Sequence, residues 1–343
     1  MFETFMAPRT VVFLLLTAIY TQARMSVPPA LVDIQRDLLP GATVIFRGRV
    51  ADVTPPPSGP GQYIATFEPD RWYRGTDSDR PTLAFAYNDG LFIQGHDCIL
   101  FQPNTYWLVF AKVQANGTLQ LVHDCHGALS VSSRLGRDSL QSGDIKDRLE
   151  ADFEAGVDDS EPDARLASIQ RLGNLKLSAA RPTLHRVLEA CTDTEKPWVV
   201  LAALRTGDVT ALPAAAERLR SWTFRAQQPE GWIAIELRNL SDRDGVPSLI
   251  ELLRTASDPF VKNCVIYALA ETFRDPRAVP QIAAFLGSPD KYLNYDAVLG
   301  MWNITHASAC SLEHWKEEDL PAIGRACKLW WESQGSTRSW DRP

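Results

Sequence analysis

Two rhythms of apolar and polar positions divide this chain. Residues 44 to 130 alternate with period two between turn formers, the pattern of half-buried strands. In Val44–Val50 the side chains of Val44, Phe46 and Val50 fall on one face, with Gly48 between them. Tyr63–Phe67, Thr82–Tyr87, Tyr106–Phe110 and Thr118–Val122 are the next predicted strands, and Pro55–Gly61 reads as an irregular loop. Asn116-Gly117 is a strong hairpin signal joining the last two. Five strands with one long loop suit a small closed barrel of the OB type. Ala30–Leu39 reads as a short helix ahead of it.

From about residue 161 the period becomes 3.6. Pro182, Pro213, Pro247 and Pro280 each open an apolar run, at spacings of 31, 34 and 33 residues. Pro197, Pro229, Pro259 and Pro289 form a second series, spaced 32, 30 and 30. Proline fits the first helical turn, where its missing N–H is not needed, so each marks an expected helix start. Gly173-Asn174, Gly207-Asp208, Asp242–Gly245 and Asp275–Arg277 read as the turns between. The unit is two helices in a little over 30 residues, and its best copy runs from Asp258 to Leu286. That text resembles the short bacterial HEAT-like repeat, whose hairpins bury their apolar faces only against neighbours. Five units are predicted over 161–309. Residues 310–335, with Trp315, Trp330 and Trp331, read as a C-terminal helical cap, and 131–160 as a linker with a short helix at Leu149–Val157.

In the first part, the order of VIFRGRV, TFEPDRWYRG, Cys98, TYWLVFA, NGTLQLVHDC and His126-Gly127 resembles a bacterial netrin-like domain. The resemblance covers about residues 30–130 and implies the OB-type barrel of the tissue inhibitors of metalloproteinases. Those inhibitors begin with a Cys-x-Cys whose first residue chelates the protease zinc, and Met25–Leu39 contains no cysteine. The resemblance therefore implies the fold without that mechanism. The expected class is α+β with two domains, an N-terminal OB-like β-barrel and a C-terminal HEAT-like α-solenoid.

Charge narrows the partners. The formal net charge is −7, with no dense block of lysine or arginine, which argues against a nucleic-acid groove. Residues 1–24 read as a signal peptide: Arg9, the apolar run Val11–Tyr20, then Thr21-Gln22-Ala23 as a cleavage site. The run is shorter than the roughly 20 residues of a membrane span, so an exported, periplasmic or extracellular product without a stable membrane span is expected. Met1, Met6 and Met25 remain alternative starts. In an oxidising compartment the six cysteines would give bridges Cys98–Cys125 and Cys310–Cys327, with Cys191 and Cys264 buried as small hydrophobes.

Candidate chemistry is sparse. His96-Asp97-Cys98 and His123-Asp124-Cys125-His126 could form a zinc site, with His123 and His126 the leading ligands, but a disulfide is the simpler reading. Nucleophile-elbow, phosphate-loop and paired-histidine zinc motifs are missing. No catalytic residue, metal or cofactor is assigned, and the chain is expected not to be an enzyme. Trp198, Trp232 and Trp302, on helices of three repeats, are candidate anchors for an unidentified protein partner, with packing between hairpins as the alternative. The leading function is protein–protein interaction through the repeat surface. Protease inhibition through the barrel loops is the runner-up, and a metal-dependent enzyme comes third.

Overall fold

A computed structural model describes residues 32–55, 62–75, 78, 80–86, 101–123, 126–136, 143–225, 228–313 and 315–340. The signal-peptide segment, most of the Pro55–Gly61 loop, and both Cys98 and Cys125 lie outside the described residues. The chain divides into two compact units at Leu175–Lys176.

The first unit contains β1 (Val44–Thr54), β2 (Gln62–Arg74), β3 (Thr82–Ala86), β4 (Tyr106–Val113), β5 (Leu119–Leu121) and β6 (Ala128–Ser130). Antiparallel β1–β2 and β2–β3, parallel β3–β5, and antiparallel β5–β4 and β4–β1 pairings close a five-stranded barrel with OB topology. β6 adds to the β4 edge beyond β5. The hairpin at Asn116-Gly117 forms, with Gly117 at φ 82° and Gln114 N–H bonded to Thr118 O at 2.8 Å. Inside the barrel, Phe46, Phe67, Phe85 and Phe101 meet edge to face, with ring centroids 4.9–5.4 Å apart.

β2 runs well past the predicted end at Phe67. Pro69 would ordinarily stop a strand, since it cannot donate to the ladder, but it sits at an irregularity of the β1–β2 register opposite Gly48. A Cβ on Gly48 would lie 2.8 Å from Glu68 O and 2.9 Å from Pro69 Cα, so only glycine permits this approach. The predicted N-terminal helix is shorter than expected, a single π-helical turn at Ile34–Leu38 capped by Asp33.

Residues 131–160 belong to the first unit. Helix α1 (Ile145–Gly156) buries Leu149 and Phe153. From α1, Asp152 accepts hydrogen bonds from Arg71 and Tyr73 of β2 and from Gly136 N–H at 2.7 Å. Arg71 and Asp152 are both nearly sealed from solvent. Burial beside this carboxylate raises the Tyr73 phenol well above its usual range. A further buried cation, Arg47 of β1, donates to Ser132 O at 2.7 Å and lies 3.5 Å from Asp70. Helix α2 (Pro162–Leu175), which the periodicity assigned to the repeats, is the last element of this unit. It runs through Gly173-Asn174, read from sequence as a turn, and the chain breaks from it at Lys176, φ 53°.

The second unit is helical: α3 (Arg181–Ala190), α4 (Lys196–Arg205), α5 (Leu212–Leu219), α6 (Pro229–Glu236), α7 (Val246–Thr255), α8 (Pro259–Tyr267), α9 (Val279–Ala283), α10 (Lys291–Thr305) and α11 (Leu320–Ser333). Seven of the eight periodic prolines occupy the first or second helical position, and Pro289 precedes the α10 cap Asp290. α4, α6, α8 and α10 pack in that order as one layer, and α5, α7 and α9 as a second. Asp208, Asp242 and Asp275 each cap the turn that enters the second layer, accepting from the N–H two residues on. α11 closes the series by packing on α10. There Cys310 and Cys327, both fully buried, form a disulfide with Cα atoms 4.7 Å apart.

Candidate functional site

The three tryptophans take different environments. Trp232 is buried within α6, so its side chain serves packing. Trp198 of α4 and Trp302 of α10 are half-buried, and Trp302 meets His306 edge-on at 6.0 Å. The three stand on α4, α6 and α10 of the same helical layer.

Polar residues recur in register near the C-terminal ends of the first-layer helices, in α4 and α10 and in the short 3-10 and π-helical segments that follow α6 and α8. Arg205, Arg238, Glu271 and Asn303 recur at spacings of 33, 33 and 32, the length of one repeat. Arg205 is buried, whereas the other three are half-buried. The Arg238 guanidinium lies 3.8 Å from the Tyr267 ring centroid, and Asn303 of α10 donates to Glu271, in the π-helical segment Ala268–Phe273 that follows α8. Beside them burial pushes the Asp296 carboxyl up to about 7, Arg238 opposing and Glu271 and Asp290 adding to the rise. Burial likewise raises the Tyr295 phenol, with Asp296 and Glu271 contributing. This series was not anticipated, because its members differ in chemical type and share only their register.

A different surface appears where hairpins join. Residues 220–228, between α5 and α6, make a connection of nine residues, against three (256–258) between α7 and α8. The longer connection carries Trp222 and Phe224. Trp222 lies over Gly231 of α6 and donates from Nε1 to Gln228 at 2.8 Å. Phe224 rests on Phe260 of α8 with centroids 5.0 Å apart, yet 52% of it stays exposed. Its position is imposed by the backbone. Phe224 N–H donates to Asp258 Oδ2 at 2.8 Å, while Asp258 Oδ1 accepts Phe260 N–H at 2.8 Å and caps α8. Ser257 N–H and its hydroxyl both donate to Arg220 O, at 3.1 and 3.2 Å. One carboxylate thus fixes the loop and the helix start together, and holds a large apolar ring toward water. Tyr292, after the connection between α9 and α10, is also exposed.

Of the histidine and cysteine clusters, His123 and His126 are described, with ring centroids 4.8 Å apart and His126 buried. His96, Asp97, Cys98, Asp124 and Cys125 lie outside the described residues. Cys264 is buried, which pushes its thiol up to about 12, and Cys191 is half-buried with its thiol donating to Leu188 O at 3.4 Å.

No protein family's model matches the chain, and no curated protein matches it in sequence. Among solved structures it is similar to the one described as the complex of CpcE and CpcF of phycocyanin lyase from Nostoc sp. PCC7120. The identity is 22% and the TM-score 0.36, over 47% of this chain and 66% of that one.

Proposed function

We propose that this chain is an exported, non-enzymatic protein-interaction module that binds a partner protein mainly through its helical-repeat surface. The observation that carries the reading is Phe224, half in water on a loop held by Asp258 rather than folded into the helix stack. Large aromatic side chains already fixed in place lose little conformational entropy on binding, and they dominate protein interfaces. Export is supported by the apolar run Val11–Tyr20 and by the Cys310–Cys327 bridge, which an oxidising compartment would preserve. The order of the barrel strands supports a netrin-like identity for residues 30–130.

The test is crosslinking of the full chain in its native envelope fraction, followed by mapping of crosslinked peptides. Contacts of a single partner are expected within residues 176–343. Contacts confined to residues 32–175 would move the function to the barrel and refute the reading.

A further inference from the structure

We infer that residues 220–225, at the start of the α5–α6 connection, are a docking point for an acidic segment of the partner protein carrying an apolar residue. The inference deepens the reading above and rests on it. The loop RSWTFR, residues 220–225, contains two arginines, two large aromatics and no acidic residue, in a chain whose net charge is −7. Arg220, Phe224 and Arg225 are exposed, and Trp222 is half-buried. Among the described residues neither guanidinium forms an ion pair, Arg220 is engaged through its backbone carbonyl, and its charge acts on Glu251, which is already bonded to Arg254. The nearby carboxylates are already committed. Asp258 holds the Phe224 and Phe260 N–H groups, Glu251 pairs with Arg254 at 2.7 Å, and Glu230 lies 3.8 Å from Arg218.

The patch therefore offers a fixed ring flanked by exposed cations whose guanidinium groups hold no ion pair among the described residues. Carboxylates satisfy guanidinium groups through charge-assisted, bidentate hydrogen bonds, and an apolar side chain between them covers the Phe224–Phe260 surface. A uniformly acidic chain would leave that surface wet, and a purely apolar one would leave the arginines without partners. Extra loop length is where such a contact can be added without disturbing helix packing.

The experiment uses the full-length chain and three fluorescein-labelled probes read by anisotropy at fixed ionic strength. They are a twelve-residue peptide alternating Glu or Asp with Leu or Phe, its Gln/Asn counterpart, and a single-stranded oligonucleotide. The acidic peptide is expected to bind at least tenfold more tightly than either other probe, and to weaken with salt. Phe224→Ser and the pair Arg220→Glu/Arg225→Glu should each weaken it at least tenfold. Lys112→Glu/Lys316→Glu, the same change in net charge elsewhere on the surface, should leave binding unchanged, and thermal melts check that all variants fold. Equal binding of the acidic and neutral peptides, no binding of either, or indifference to the arginine reversal overturns the inference. Tighter binding of the oligonucleotide also overturns it. If the crosslinks above fall within 176–343 while any of these results is obtained, the interaction reading stands and this docking point does not.

Discussion

Replacing Asp152 by alanine tests how the barrel and α1 are joined. The substitution removes an acceptor shared by three donors: the buried Arg71 guanidinium, the buried Tyr73 hydroxyl and the half-buried Gly136 N–H. Breaking a buried ion pair from one side destabilises by about 3–5 kcal/mol, and the lower end applies here because Arg71 keeps its bond to Gly136 O at 3.0 Å. The Tyr73 hydroxyl, sealed from water, adds about 1–3 kcal/mol, while the half-buried Gly136 N–H can turn to solvent. The first unit should therefore lose about 4 kcal/mol or more, a large part of the stability of a typical domain. Arg71→Met alone should cost less, since Asp152 keeps two donors and can take up a proton. In Arg71→Met/Asp152→Ala the charge is gone, so the double variant should be more stable than Asp152→Ala. Urea unfolding read by hydrogen exchange of β2 and α1 peptides isolates this unit from the helical one. If the two single losses simply add in the double variant, Arg71 and Asp152 are not coupled and the account of this junction is wrong.

Cys310→Ser/Cys327→Ser opens a loop of 17 residues. It should destabilise the second unit by about 3 kcal/mol, read as a lower denaturation midpoint that the reduced wild-type protein reproduces. Gly48→Ala forces a methyl group against backbone atoms of Glu68 and Pro69 that cannot retract. A loss of about 1–3 kcal/mol is expected, with exchange protection falling first along β1 and β2. Burial pushes Glu150 and Asp296 up to about 7 from ordinary values of 4.5 and 3.8, so both hold protons in the folded chain that the unfolded chain releases. Their contribution is complete below pH of about 4 and is lost as pH rises to about 7. Glu150→Gln/Asp296→Asn should flatten the fall in stability between pH 5 and 7.5, measured by denaturant midpoints.

Much of the helical unit was legible because the physics there is local. Pro182, Pro197, Pro213, Pro229, Pro247, Pro259 and Pro280 mark helix starts by what proline cannot do, and no distant contact is needed to read them. The capping aspartates at 208, 242 and 275 carry the same kind of signal. Features that depend on distant partners were less readable. β2 continues past Pro69 only because Gly48 lies opposite, and β6 is three residues long with no alternation to detect. Gly173-Asn174 has turn composition, yet both residues are buried in α2. The aromatic loop had one usable signal, the 16 residues from Pro213 to Pro229 against 12 from Pro247 to Pro259, although α5 is shorter than α7. Its consequence, a ring held in water by Asp258, depends on a residue 34 positions away.

The covalent bridge of the last hairpin also bears on how the protein withstands proteases. A stack whose members touch only their neighbours is expected to fray from its ends, and exposed connections are where cleavage begins. The connection between α10 and α11 includes the exposed residues Lys316–Asp319, while Cys310 and Cys327 lie buried on either side. A single cut between them would sever the backbone without releasing a fragment. Helix α11 would remain tethered at Cys327 and free to re-dock on α10, so such a nick would show on a gel only after reduction.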